Sequence, residues 1–109
     1  MEGKTLREIY DSTGVTRRAV QVYEKAGLVT ASGKNKYGHL LYDYESEKRI
    51  REIQFYQKAG FSLKEIAFIM DAPDETKKEA LQKQLVIMEA RFAEIQEIID
   101  RLNQVIADL

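Results

Sequence analysis

Between Leu81 and the C-terminus, Leu81, Leu85, Met88, Phe92, Ile95, Ile99, Leu102, Ile106 and Leu109 follow one another in alternating steps of four and three. Such steps keep apolar groups on one narrow face of an α-helix, the seam of a coiled coil. At about 1.5 Å per residue this seam runs roughly 40 Å. A chain of 109 residues is too short to bury such a stripe in its own small domain. The seam therefore predicts a long helix over residues 73–109 that pairs with a second copy as a homodimer. Ile98 and Val105 fall beside the seam and widen it toward the C-terminus, so more than one partner helix is expected to touch it.

Residues 1–70 carry 12 Lys and Arg against 9 Asp and Glu, a net of +3, whereas residues 71–109 carry 5 against 9, a net of −4. A phosphate-contacting surface is thus expected in the first part, because the acidic tail would be repelled by nucleic acid. Cysteine is absent and there is one histidine. These counts exclude thiolate metal sites, iron–sulfur clusters, disulfides and cysteine nucleophiles, so no metal and no cofactor is expected. The N-terminus lacks an apolar stretch of signal-peptide length, and the apolar runs are far shorter than a bilayer span. The chain therefore reads as cytoplasmic, with no membrane partner. No nucleophile–base pair or carboxylate constellation emerges that would suggest an enzyme.

Thr5 with Glu8 forms a capping box before Leu6, Ile9 and Tyr10, predicting a short first helix that ends near Ser12-Thr13-Gly14. Thr16 caps a second helix with Val15, Ala19, Val22, Tyr23 and Ala26 as its apolar set, stopped by Gly27. Two short helices joined by a tight turn make a helix-turn-helix candidate. Leu28-Val29-Thr30 and Leu40-Leu41-Tyr42 then read as the strands of a hairpin with a basic, glycine-punctuated tip. Asp43 caps a longer helix with Ile50, Ile53 and either Tyr56 or Gln57 inward. Ser62 with Glu65 boxes another helix through Leu63, Ile66, Ile69 and Met70, which breaks before Pro73, the only proline. The domains expected are 1–72 and 73–109. With no Trp in the chain, Tyr10, Tyr23, Tyr42, Tyr44, Phe55, Phe61 and Phe68 are expected to fill the core.

Arg17, Arg18, Gln21 and Lys25 share the face of the second helix opposite its apolar set. In a helix-turn-helix that face enters the major groove, where Arg can bridge guanine O6 and N7 and Gln can bridge adenine N6 and N7. The backbone at Thr16 can meet a phosphate. Lys34, Lys36, Tyr37 and His39 cluster at the hairpin tip within reach of flanking phosphate. Ser62 and Lys64 offer a further helix start, and Lys58 a fainter contact.

The order of elements and several local words resemble the MerR family of bacterial transcription regulators over nearly the whole chain. The words are Thr5-Leu6-Arg7-Glu8-Ile9, Gly14-Val15-Thr16, Tyr23-Glu24-Lys25-Ala26-Gly27-Leu28-Val29 and Ala59-Gly60-Phe61-Ser62-Leu63-Lys64-Glu65-Ile66. The resemblance implies a mainly α fold: a winged helix-turn-helix domain with a small β-hairpin wing, then a long dimerisation helix in an antiparallel coiled coil. It also implies a dimer that binds double-stranded DNA at a pseudo-palindromic promoter site, distorts it, and so acts on RNA polymerase. Tyr23 of the Tyr-Glu word joins the DNA-contacting set on this reading. Family members commonly sense a signal through a segment after the dimer helix; here the sequence stops at Leu109, so no effector-binding domain is expected.

Two departures stand out. The family has Arg-Tyr-Tyr-Glu where this chain has Gln21-Val22-Tyr23-Glu24, and Tyr-Arg-x-Tyr where it has His39-Leu40-Leu41-Tyr42. Two arginines expected near DNA are absent, which implies weaker or differently specified binding unless Arg17, Arg18, Lys34 and Lys36 compensate. A protein-interaction module, or an excisionase-like architectural protein derived from the same fold, is the alternative.

Overall fold

A computed structural model describes residues 3–109. The chain forms two compact units, one ending at Asp71 and the other running from Ala72 to Leu109. The first holds α1 (Leu6–Thr13), α2 (Arg17–Lys25), an antiparallel hairpin of β1 (Gly33–Lys34) and β2 (Leu40–Leu41), α3 (Tyr44–Lys58) and α4 (Leu63–Met70). The second is a single helix, α5 (Asp74–Ala107), of 34 residues.

Side chains close the helix starts where the sequence places them. Thr5 and Ser62 each head a complete capping box with Glu8 and Glu65, while Thr16 and Asp43 accept from the backbone N–H of Ala19 and Ser46. The ends of α2 and α3 repeat one word, Tyr23-Glu24-Lys25-Ala26-Gly27-Leu28 and Tyr56-Gln57-Lys58-Ala59-Gly60-Phe61. Both glycines take positive φ, 76° and 98°, a conformation that a side chain would strain. This turns Leu28 N–H back to the Tyr23 carbonyl at 2.9 Å and Phe61 N–H to the Tyr56 carbonyl at 3.1 Å, satisfying carbonyls the helix would leave open. Phe61 then packs edge-on against Tyr56, with ring centroids 6.0 Å apart.

The core of the first unit gathers Ile9, Val20, Tyr42, Ile50, Ile53, Ile66 and Ile69, all but sealed from solvent. Tyr56 is the inward residue at the end of α3, and Gln57 is exposed. On α2 the inward set differs from expectation: Val20 is buried and Val22 exposed, because Val20 and Tyr23, three apart, share a face that Val22 leaves by about 100°. Tyr10, Tyr44, Phe55 and Phe68 are likewise exposed, not core. The isoleucine stripes of α3 and α4, with Tyr23, Tyr42 and Phe61, fill the interior without them.

The hairpin is shorter and later than Leu28-Val29-Thr30 predicted. Those residues form no strand, although Leu28 and Val29 are buried. Their carbonyls are taken by side chains of α3: Arg49 Nε donates to Leu28, and Ser46 Oγ donates to Thr30 at 3.1 Å. Pairing starts only at Gly33, opposite Leu41. On the far side of β2, Lys4 pairs with Tyr42 through two backbone bonds of 2.8 Å. Lys4 Nζ also meets Glu47 of α3 at 2.8 Å.

No residue of α5 is buried. Along the seam Leu81 and Met88 are half-buried, while Leu85, Phe92, Ile95, Ile99, Leu102, Ile106 and Leu109 are exposed. No helix among the described residues is long and apolar enough to cross a membrane.

Tyr42 donates its hydroxyl to Glu24 of α2, and removing that donor in Tyr42→Phe should cost about 1.5 kcal/mol, the low end for a charged acceptor that still meets water. A urea curve superimposable on the parent's would show that the bond contributes nothing. Lys4 holds the Glu47 carboxyl below its ordinary value of 4.5, aided by Ser12 and Arg51. A lowered folded value adds stability that is present above the ordinary value and lost as pH falls through the folded one. Acid should therefore lower the melting temperature from about pH 4.5 downward, and Glu47→Gln should flatten that fall; an unchanged acid limb would refute the assignment.

Candidate nucleic-acid interface

Helix starts carry partial positive charge, and acidic residues in the first turn stabilise them. Glu8 serves α1, Glu45 and Glu47 serve α3, Glu65 serves α4, and Asp74 and Glu75 serve α5. The start of α2 alone has no acid and carries Arg17 and Arg18 instead. Two guanidiniums at the positive end of a nine-residue helix oppose its dipole, so this end is left strongly electropositive and open to an anion.

Arg17, Arg18, Gln21 and Lys25 are all exposed. Thr16 is exposed too, with its hydroxyl accepting from Ala19 N–H at 3.1 Å. Beside this face stands the hairpin, whose tip is fixed by Asn35: its side-chain oxygen accepts from the N–H of Tyr37 at 2.9 Å and of His39 at 3.0 Å. Lys34, Lys36, Tyr37 and His39 project from it exposed, with Lys36 Nζ 5.1 Å from the Tyr37 ring centroid. A groove of ≈ 500 Å³ runs between the first turn of α1 (Thr5, Leu6, Arg7), Arg17 and Gln21 of α2, and Gly38, His39 and Leu40 of the hairpin.

Ion pairing is uneven across the unit. Among the described residues the pairs are Lys4–Glu47, Arg51–Glu47 and Arg49–Asp71. Arg7, Arg17, Arg18, Lys25, Lys34 and Lys36 enter none of them, nor do Lys48 and Lys58 of α3 and Lys64 of α4, so six of the unit's nine cations outside these pairs lie on α1, α2 and the hairpin.

Tyr23 is set back from the exposed residues of this face. It is 3% exposed, burial raises the proton affinity of its phenolate, and its hydroxyl donates to Gln57 at 2.7 Å. The spacing that aligns it with Val20 turns it inward. A second recess of ≈ 450 Å³ brings Thr16 and Tyr23 beside Gln54, Gln57 and Lys58. Ser62 and Lys64 are exposed but line neither recess. Glu65 bonds back to Ser62 N–H at 2.9 Å, so the α4 start already holds its own carboxylate. Arg7 is the groove residue that sequence reasoning passed over. It shares no periodicity with the α2 set, and only the fold brings it there.

Comparison with known proteins identifies the chain's relatives. Residues 4–73 match the family model described as MerR HTH family regulatory protein, and residues 47–109 match that described as MerR, DNA binding. The chain is 37% identical over 101 residues to the nodulation protein NolA of a Bradyrhizobium strain, covering 93% of this chain and 42% of that protein. It is 31% identical over 91 residues to the HTH-type transcriptional activator TipA of Streptomyces coelicolor, covering 84% and 36%. The chain thus spans about two-fifths of the length of the curated relatives it matches. Among solved structures, the N-terminal part of the Bacillus subtilis multidrug transporter activator, MtaN, superimposes with a TM-score of 0.71 at 26% identity, covering 94% of this chain and 97% of that one. HiNmlR, a MerR family regulator lacking the sensor domain and bound to promoter DNA, shares the fold with a TM-score of 0.76 at 20% identity, covering 97% and 89%. The basic helix start, the hairpin beside it, the long apolar-seamed helix and two family models that together span nearly the whole chain lead to one conclusion: this chain belongs to the MerR family of helix-turn-helix transcription regulators.

Proposed function

We propose that the chain acts as a homodimer on double-stranded promoter DNA in the bacterial cytoplasm and distorts a pseudo-palindromic site read by RNA polymerase. The observation that carries this reading is the start of α2, where Arg17 and Arg18 stand in place of the acid found at every other helix start. Such a helix end gives up local stability and gains affinity for a polyanion.

In this reading Arg17, Arg18, Gln21 and Lys25 face the major groove, and Thr16 meets a phosphate at the start of α2. Lys34, Lys36, Tyr37 and His39 reach the flanking backbone from the wing, and Ser62 and Lys64 contact it further out. Leu81, Leu85, Met88, Phe92, Ile95, Ile99, Leu102, Ile106 and Leu109 form the dimer seam, with α5 pairing antiparallel to its mate. The exposure of that seam supports the pairing, since a 34-residue helix without a single buried residue draws little stability from its own unit. Two winged domains would then meet successive half-sites about 34 Å apart.

Titrating salt against binding to a duplex tests the assignment. A dimer making about 6–10 phosphate contacts should lose about 10³–10⁵ in affinity between about 50 and 200 mM salt. A chain that retains no duplex even at low salt is a protein-interaction module instead. Arg17→Ala and Arg18→Ala should change which sequences are preferred, whereas Lys36→Ala should weaken all of them alike; parental behaviour in all three would refute the surface. For the seam, Phe92→Glu should give monomers in sedimentation, and an unaltered mass would sink it.

A further inference from the structure

The groove between α1, α2 and the hairpin collects Arg7, Arg17 and His39 from three different elements, and no carboxylate lines it. The carboxylates of Glu8 on α1 and Glu24 on α2 are engaged in other bonds. Glu8 accepts from both the N–H and the hydroxyl of Thr5 at 3.1 Å, and Glu24 accepts from Tyr42. Asp11, one turn along α1, forms no ion pair with Arg7 among the described residues. Arg7 is exposed. Two arginines lining one recess whose walls hold no carboxylate leave it electropositive, a setting that attracts an anion. Leu6 and Leu40 give the recess apolar contacts, and the planar fork of arginine suits phosphate oxygens.

We infer that Arg7 holds one phosphodiester of the DNA backbone in this groove, which Arg17 and His39 also line, so that the first turn of α1 is a third DNA-contacting element besides α2 and the wing. The inference rests on the proposed function and adds to it a residue that reads no sequence. Arg7 supplies charge to the backbone, while Arg17 and Gln21, on the same groove, stay within reach of base edges.

The test uses the full chain and a duplex carrying its selected site, with binding followed over a salt series. Arg7→Ala should weaken binding several-fold for every sequence alike. It should also reduce the slope of log affinity against log salt by about 0.9 per protomer, the release expected for one phosphate contact. Arg7→Lys should restore the slope and part of the affinity, because it keeps the charge and loses the fork. Lys48→Ala serves as a control, removing an exposed cation of α3 that lies outside the groove. If Arg7→Ala matches the parent, or falls no further than Lys48→Ala, while Arg17→Ala and Lys36→Ala weaken binding, the Arg7 contact is wrong and the regulator reading stands. If the parent itself binds no duplex, both fall together.

Discussion

The first unit depends on Tyr42 being buried with each of its polar groups partnered. The residue is 1% exposed. Its N–H and carbonyl pair with Lys4, and its hydroxyl donates to Glu24. Burial, then the Glu24 carboxylate that accepts its bond, push the tyrosine's own proton affinity up, so it stays a neutral donor. The next residue, Asp43, caps α3 and accepts from Ser46 N–H at 2.8 Å. One side chain and one cap thus join the N-terminal arm, the second strand, α2 and α3. The residue that follows the second strand is thus tied to α2 where Tyr42 meets Glu24.

The same economy fixes the helices at their far ends. A tyrosine, a lysine, an alanine, a glycine and an apolar residue close both α2 and α3, with the glycine reversing the chain and the last residue packing back onto the tyrosine's turn. After α2 the reversal sends Leu28 into the core, and after α3 it sends Phe61 there. Each closure therefore begins a new burial, and spacing between elements follows from local geometry.

Local chemistry is the part of the fold that the sequence makes legible. Capping boxes at Thr5 and Ser62, caps at Thr16 and Asp43, the break at Pro73 and the seam of α5 are decided by residues within a turn of one another, so reading along the chain suffices. Leu28 and Val29 resist such a reading: they look like a strand because they are apolar, but they are apolar to fill the core, and Arg49 and Ser46 of α3 take the backbone bonds a strand would need. Phe55 and Phe68 mislead in the opposite sense, since large apolar side chains can remain outside once isoleucines have filled the available volume. Tyr23 enters the DNA-contacting set through the family word, while its spacing places it on the inward face of α2, where it is found buried. Arg7 could not be singled out at all, because its place depends on α1 and the hairpin meeting around α2.

Placing cations is a question of where their partners are. The acids of the first unit are nearly as numerous as its bases, yet Glu47 serves Lys4 and Arg51, Asp71 serves Arg49, and Glu8 and Glu65 are spent on caps. None of these acids lies on α2 or the hairpin. Salt bridges on such surfaces contribute little to stability, so their larger consequence is the field they leave behind: Arg17, Arg18, Lys34 and Lys36 enter no ion pair among the described residues. A net charge of +3 over 70 residues would be a faint attraction if spread evenly. Arg17 and Arg18 at one helix start and Lys34 and Lys36 at one hairpin instead set four cations on neighbouring elements, and local clusters of one sign attract a polyanion more strongly than the same charge dispersed.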